Sequence, residues 1–321
     1  MDLEKKAIER VKMASEISLR LYGRPLVVTD SGGKDSAVCR EIVRRAGIPF
    51  EIHHNLTTAD APQTIYYVRD IFRRLELEGI TCCVNYPIYK GQRVTMWSLI
   101  PMKKFPPTRL QRYCCQICKE NSCRDRFITT GVRWAESVKR KNNRGVFENF
   151  VSDPSKKIIL NNDNDEQRML FESCTLKGKR ICNPIVDWRD SDVWEYIHSE
   201  RLEINPLYDM GFYRVGCLGC PMAGKNCWTE FRLFPTYQRA YIRSFGKMLD
   251  AIHAGGGKTK WKTAEDVFSW WMEEKTIEGQ MSLFDRTEWL EKEKDELFWK
   301  GVDFGNKLLY NKHTNDKKST T

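Results

Sequence analysis

The sequence predicts an α/β fold, a Rossmann-like parallel sheet with helices on both faces, followed by a C-terminal helical appendage. Three observations lead there. Short apolar runs alternate with amphipathic helical runs through the first half of the chain. The segments joining those runs are long enough to be helices, which implies right-handed crossovers between parallel strands. A Gly-Gly-Lys turn directly follows the first strand and opens a helix.

The elements follow in order. Residues 7–21 space their apolar side chains as a helix does and stop at Gly23 and Pro25, a helix-end signal. Residues 26–30 are a short apolar strand, residues 35–46 a helix stopped by Gly47 and Pro49, and residues 50–54 a second strand. The helix over 62–78 opens with Pro62, tolerated in a first turn because its missing N–H has no partner there anyway. Residues 80–85 form a third strand, with further strands expected at 127–132 and 157–161 and a loop over 141–156. A helix over 190–200 would take Asp190 or Ser191 as its cap. Residues 211–224 form an irregular, cysteine-bearing loop. From 228 onward helical patterns dominate, interrupted by the glycines at 255–257; segments 261–272 and 286–300 carry aromatics at helical spacing and read as a cover or partner surface. The polar tail from 312 reads as disordered. The expected division is a nucleotide-binding domain over 1–250 and a helical extension over 251–321.

Composition narrows the class. The chain has 321 residues, 41% hydrophobic and 30% charged, which excludes a wholly disordered protein. No apolar run reaches the roughly 18–20 residues of a membrane helix. The charged N-terminus has no signal-peptide core, so a cytoplasmic location is expected. In such a compartment the 12 cysteines are ligands, nucleophiles or small core residues rather than disulfides. The formal charge is +10, and residues 103–145 hold 12 Lys and Arg against three acids. That local excess points to a polyanion, either nucleotide phosphates or nucleic acid.

The sharpest motif is Ser31-Gly32-Gly33-Lys34-Asp35-Ser36. Glycines at a strand's exit let the backbone approach a ligand, and the following helix N-terminus presents free N–H groups to phosphate. Lys34 can neutralise phosphate charge, Ser31 and Ser36 can donate hydrogen bonds, and Asp35 can orient Mg²⁺ or cap the helix. The spacing is not that of a Walker A loop. The string matches the SGGxDS loop of the adenine-nucleotide α-hydrolase (PP-loop) superfamily, which implies binding of ATP or a sulfonucleotide and chemistry on the α-phosphate side.

The cysteines fall into groups. Cys39, Cys82, Cys83, Cys174 and Cys182 read as core. Cys114, Cys115, Cys118 and Cys123 form one cluster, and Cys217, Cys220 and Cys227 another. Cys217 and Cys220 have metal-ligand spacing in a glycine-rich loop, which suits zinc or an iron–sulfur cluster and does not choose between them.

Six motifs together resemble the phosphoadenosine phosphosulfate (PAPS) reductase family over residues 20–250. They are the phosphate loop, Arg112-Tyr113-Cys114-Cys115 with Lys119, Gly131-Val132-Arg133, Asn183-Pro184 through Trp188, Asn205-Pro206-Leu207-Tyr208, and Gly216-Cys217-Leu218-Gly219-Cys220-Pro221. The resemblance implies a [4Fe-4S] cluster on Cys114, Cys115, Cys217 and Cys220, charge-balanced by Lys119. It also implies that Gly131 and Arg133 face substrate phosphate or sulfate. The reductases' tail motif carrying a catalytic cysteine has no counterpart after Cys227, unless Cys118, Cys123 or Cys227 substitutes. The family's Asp-Thr-Gly stretch is replaced by residues 55–62, with Asp60 kept as a nucleotide-side candidate. That form resembles relatives in mobile elements and DNA phosphorothioation systems.

The expected function is therefore a [4Fe-4S]-dependent ATP pyrophosphatase using Mg²⁺, with Lys34, Asp35 and Arg133 as catalytic residues. It would activate a nucleic acid for sulfur transfer, take sulfur from a cysteine desulfurase or another donor, and bind the nucleic acid through residues 103–145. Trp134, Phe105 and Tyr113 are candidates for base stacking or, equally, for the core. Two alternatives stand beside it: a PAPS or APS reductase, and a metal-stapled nucleic-acid-binding module. His53 and His54 read as packing or solvent contacts.

Overall fold

The computed structural model describes residues 2–150, 158–160 and 178–273. Contacts divide the chain into residues 1–273 and 274–321, and all described residues belong to the first unit. Cys174, the segment 286–300 and the tail from 312 lie outside the described residues.

The first half follows the sequence pattern. Helix α1 (Leu3–Tyr22) is capped by Asp2, whose carboxylate accepts from the Glu4 N–H at 3.1 Å. Strand β1 (Leu26–Thr29), helix α2 (Lys34–Arg45), strand β2 (Phe50–Asn55), helix α3 (Pro62–Leu77) and strand β3 (Thr81–Asn85) come next. A small hairpin of β4 (Ile88–Tyr89) and β5 (Gln92–Arg93) precedes α4 (Met96–Lys103). Then come α5 (Tyr113–Cys115), running into a π-turn Gln116–Glu120, and β6 (Phe127–Thr129).

The stretch 141–156 was expected to be a loop, and its described residues are not one. It holds the end of α6 (Val138–Asn143) and the strand β7 (Phe147–Phe150), which pairs antiparallel with both β8 (Ile159–Leu160) and β9 (Lys179–Cys182). Lys, Arg and Asn around a four-residue strand hide its apolar period, so sequence pattern alone misses it. The remaining helices are α7 (Asp190–Ser199), α8 (Asn226–Leu233), α9 (Pro235–Ala254) and α10 (Ala264–Glu273).

The main sheet has seven strands in the order β3-β2-β1-β6-β9-β7-β8. Strands β3, β2, β1, β6 and β9 run parallel. From β1 the chain winds outward through β2 and β3, then returns to place β6 on the other side of β1. The β1/β6 junction is thus a topological switch point, where the segments leaving the two strand ends part and a crevice opens.

The long helices α1, α2 and α3 pack Val11, Ile42, Val68 and Phe72 onto Leu26, Val28 and Ile52 of the sheet. The opposite face presents Val27, Ile128 and Ile181, with Cys123 against them. The segment after α5 covers that face: Lys179 Nζ donates to the carbonyls of Glu120 and Ser122, both at 3.0 Å. A second apolar cluster joins α4, α8, α9 and α10 through Ile100, Phe231, Tyr241, Phe245 and Phe268, and Cys114 and Cys217 pack on its edge. Helix α10 thus shares its core with α9. Among the described residues no helix is long and apolar enough to cross a membrane.

Candidate active site at the β1/β6 crevice

The loop after β1 is shaped from beneath by Asp30, which is 2% exposed. Its Oδ1 accepts from the Gly32 N–H at 2.8 Å and from Ser36 Oγ at 3.0 Å, while Oδ2 pairs with Arg40. Burial pushes the Asp30 carboxyl up, but Arg40 and these donors outweigh it and hold the carboxylate ionised. Arg40 NH2 also donates to Tyr67 Oη at 3.2 Å, and His54 Nδ1 lies 2.8 Å from the Asp30 carbonyl. His54 is therefore a structural support of the loop.

From above, Asn205 Nδ2 donates to the Gly32 carbonyl at 3.1 Å and to Thr64 Oγ1 at 3.0 Å. The Lys34 N–H donates to Tyr208 Oη at 2.9 Å. Ser31 Oγ and Ser36 Oγ are 3.2 Å apart. The motif Asn205–Tyr208 thus closes the loop from the far end of the chain.

Four charged groups meet beside the loop. Arg133, 2% exposed, donates from Nε to Asp35 Oδ1 at 2.6 Å and from NH2 to Asp190 Oδ1 at 2.8 Å. Lys34 Nζ reaches Asp35 Oδ2 at 3.2 Å and Asp190 Oδ1 at 3.0 Å. Burial alone would raise the Asp190 carboxyl; Lys34 and Arg133 bring it below the usual range. Gly131 has a reason to be glycine: an added Cβ would sit 2.8 Å from the Asp35 carbonyl carbon and oxygen. That contact seats the β6 exit directly on the first turn of α2.

Asp190 corrects one expectation and supplies a residue that sequence reasoning missed. Neither Asp190 nor Ser191 caps α7. Arg189 holds the cap position, and its N–H donates to Asp192 Oδ2 at 2.8 Å. Asp190, at the first helical position, turns its carboxylate to the crevice instead. The usable signal was its place two residues after the Asn183–Trp188 motif.

The second site is sulfur-rich. The loop bearing Cys217 and Cys220 is tied to the segment 57–60: Leu218 N–H donates to the Ala59 carbonyl at 2.8 Å, Cys217 Sγ lies 3.3 Å from Thr57 Oγ1, and Asp60 pairs with Cys217 in a single β-bridge. Gly219 adopts φ +68°, and a Cβ there would meet Phe231 Cζ at 2.3 Å. Its N–H donates to Glu230 Oε2 at 2.6 Å. The adjacent thiols Cys114 and Cys115 share a hydrogen bond that raises Cys114 and lowers Cys115, with Arg112 NH2 3.4 Å from Cys115 Sγ adding to the second effect. Lys119 is held protonated mainly by Cys217 and also by Asp60, Cys115 and Cys220. Asp60 Oδ2 accepts from Thr57 N–H at 2.7 Å; these contacts place Asp60 with the cysteines. Cys118 and Cys227 are buried. Among the described residues no three Cys, His, Asp or Glu side chains are arranged to hold one metal ion.

The basic stretch is less uniform than its count suggests. Arg126 and Arg133 are buried, Arg126 on Glu51 and Arg133 in the crevice. Arg140 and Arg144 pair with Glu136 and Glu148. Lys104, Arg109, Arg112, Lys119, Arg124, Lys139 and Lys141 are exposed. The three aromatics are packed: Phe105 against Trp261 and Trp270, Tyr113 Oη on the Phe105 carbonyl at 2.8 Å, and Trp134 Nε1 on the Arg144 carbonyl at 2.7 Å.

Comparison with known proteins bears on this arrangement. A protein of Methanocaldococcus jannaschii is 26% identical over 221 residues, covering 69% of this chain and 47% of that protein. The chain thus spans about half the length of this relative. The adenosine 5'-phosphosulfate reductase of Allochromatium vinosum is 24% identical over 203 residues, covering 62% of this chain and 68% of that enzyme. The crystal structure of PAPS reductase from Candida auris in a phosphate complex aligns with a TM-score of 0.40 at 19% identity, over 64% of this chain and 87% of that one. Residues 25–223, from the start of the β1 region to just beyond Cys220, match the phosphoadenosine phosphosulfate reductase domain. The chain, with its phosphate loop at the β1/β6 crevice and its paired cysteine loops, belongs to the phosphoadenosine phosphosulfate reductase family.

Proposed function

We propose that this chain is an iron–sulfur ATP pyrophosphatase that activates an acceptor oxygen by adenylylation for sulfur transfer, with a nucleic acid as acceptor. One observation carries the choice of nucleotide: Asp35 and Asp190 both stand beside Lys34 and Arg133. A naked phosphosulfate favours a purely cationic pocket, and two carboxylates would repel it. A carboxylate pair among cations suits a triphosphate arriving with Mg²⁺, which binds one or two carboxylates and phosphate oxygens.

The acceptor oxygen attacks the α-phosphorus, the bond to the bridging oxygen breaks, and pyrophosphate leaves. A sulfur nucleophile, delivered by a desulfurase or another donor, then displaces AMP. Loop N–H groups orient the phosphates, and Lys34 and Arg133 offset charge developing on them. Asp35 and Asp190 would hold Mg²⁺, which would supply positive charge to offset that of the pyrophosphate.

The cysteine site fits a [4Fe-4S] cluster. Its donors are all sulfur, Lys119 offsets thiolate charge, and four sulfurs that each bind a different iron need not converge on one point. Cys114, Cys115, Cys217 and Cys220 would hold it, and the cluster supplies a redox-active, sulfur-bearing centre. Arg109, whose Nε donates to the Pro221 carbonyl at 3.0 Å, and Arg112 put exposed positive charge at this site. That charge supports a nucleic-acid backbone as partner.

The test is pyrophosphate release from ATP by protein purified without oxygen, with DNA or RNA and a sulfide donor present. Release is expected and is lost in Lys34→Ala. No release by the wild type overturns the reading. The relationship to adenosine 5'-phosphosulfate reductases favours a second reading, sulfonucleotide reduction. Its outcome in the same preparation is sulfite from APS or PAPS with a thiol reductant.

A further inference from the structure

We propose that Cys123, His53 and Glu51 form a thiolate nucleophile for electrophilic sulfur, separate from the four paired cysteines. Cys123 Sγ lies 3.5 Å from His53 Nδ1, and His53 Nε2 lies 3.1 Å from Glu51 Oε2. Arg126 NH2 fixes that carboxylate at 3.0 Å and is itself held by the Pro25 carbonyl at 3.0 Å. A thiol, an imidazole and an orienting carboxylate in this order form a nucleophile, a base and its support.

The surroundings serve the same chemistry. Asn85 Nδ2 is 3.9 Å from Cys123 Sγ and 3.3 Å from His53 Nδ1. Lys179 is the nearby cation from β9, and Cys83 from β3 faces the same space, being the register partner of His53. Cys123 adopts φ +54°, a left-handed conformation that costs a β-carbon-bearing residue energy and is kept where the side chain's aim matters. Cys123 is half-buried, so it is not sealed in the core. Burial pushes the thiol up, but His53 and Lys179 outweigh it and bring Cys123 below the usual thiol range. Burial opposes the His53 charge, while Cys123 and Glu51 raise His53 above its ordinary value. Both shifts favour the thiolate–imidazolium form of the pair.

The substrate class is a disulfide or persulfide. Cys123 Sγ attacks one sulfur, a new S–S bond forms, and the substrate's S–S bond breaks. The other sulfur leaves with the electron pair and takes the His53 proton. No further oxidant or reductant is needed.

The experiment is alkylation of the anaerobically purified full chain with iodoacetamide from pH 5.5 to 9, mapped by peptide mass spectrometry. Cys123 is expected to react about tenfold faster than Cys83 at pH 6.5, because only thiolates react. His53→Asn removes that advantage and moves the Cys123 profile to higher pH; Glu51→Gln gives a smaller shift of the same sign. Glutathione disulfide is expected to label Cys123 before Cys83. An ordinary thiol profile at Cys123, profiles unchanged in both variants, or no preference for Cys123 by glutathione disulfide overturns the proposal. Pyrophosphate release does not enter these readouts, so this centre and the ATP reading stand or fall separately.

Discussion

Arg133 Nε donates to Asp35 Oδ1 at 2.6 Å across 98 residues of sequence, joining the exit of β6 to the first turn of α2. The same guanidinium reaches Asp190 at the start of α7, so three chain segments meet through one side chain at the phosphate loop.

Arg133→Ala leaves two carboxylates facing Lys34 alone. Breaking a fully buried pair costs about 3–5 kcal/mol; here the partners Asp35 and Asp190 are 23% and 61% exposed, so about 1–3 kcal/mol is expected. Urea unfolding reads that loss. Pyrophosphate release should fall by about 100-fold or more, the scale for removing one stabilising donor.

Gly131→Ala tests the close approach of β6 to α2. The new Cβ would stand 2.8 Å from the Asp35 backbone, which cannot yield as a flexible side chain would. A loss of about 1–3 kcal/mol is expected, the range for overpacking, together with weaker nucleotide binding by calorimetry. Wild-type affinity in the variant would show that the loop tolerates a shift.

Asp30→Asn keeps the shape beneath the loop and removes the charge opposite Arg40. An uncompensated Arg40, 9% exposed, should cost about 3–5 kcal/mol. A partner variant, Ser36→Ala, removes one hydrogen-bond donor to the same carboxylate and should cost only about 1 kcal/mol. Comparable losses in the two would contradict the charge argument.

Asp187 gives a pH signature away from the crevice. Burial would raise its carboxyl, but hydrogen bonds from Arg10 and Lys6 bring it from 3.8 to about 2. A depressed folded-state value stabilises the fold above the unfolded-state value near 4 and is lost as pH falls towards 2. The contribution is about 2 kcal/mol, and the carboxylate is 20% exposed. Stability measured from pH 5 to 2 should fall less steeply in Asp187→Asn than in the wild type.

Much of this architecture was legible in the chain. The helices α1, α2 and α3 and the strands β1, β2 and β3 stand within a few residues of their expected bounds, because local apolar periods report burial on one face. The phosphate loop was legible for a similar reason, since its glycines and helix start are contiguous. Strand β7 was not, because a short strand flanked by polar residues takes its stability from partner strands elsewhere in the sequence. The stacking role offered for Phe105, Tyr113 and Trp134 gave way to packing for the same reason, as their neighbours come from other segments.

By itself, then, the sequence determined the parallel α/β core, the phosphate loop and the two cysteine pairs, all carried by residues adjacent or regularly spaced along the chain. Tertiary structure alone decided that Asp190 faces Lys34 and Arg133, that Asp60 joins the cysteines, and that Cys123 meets His53. Each of those meetings depends on strand order and on what covers each face of the sheet, and a linear pattern does not encode which distant side chains share one low-dielectric space.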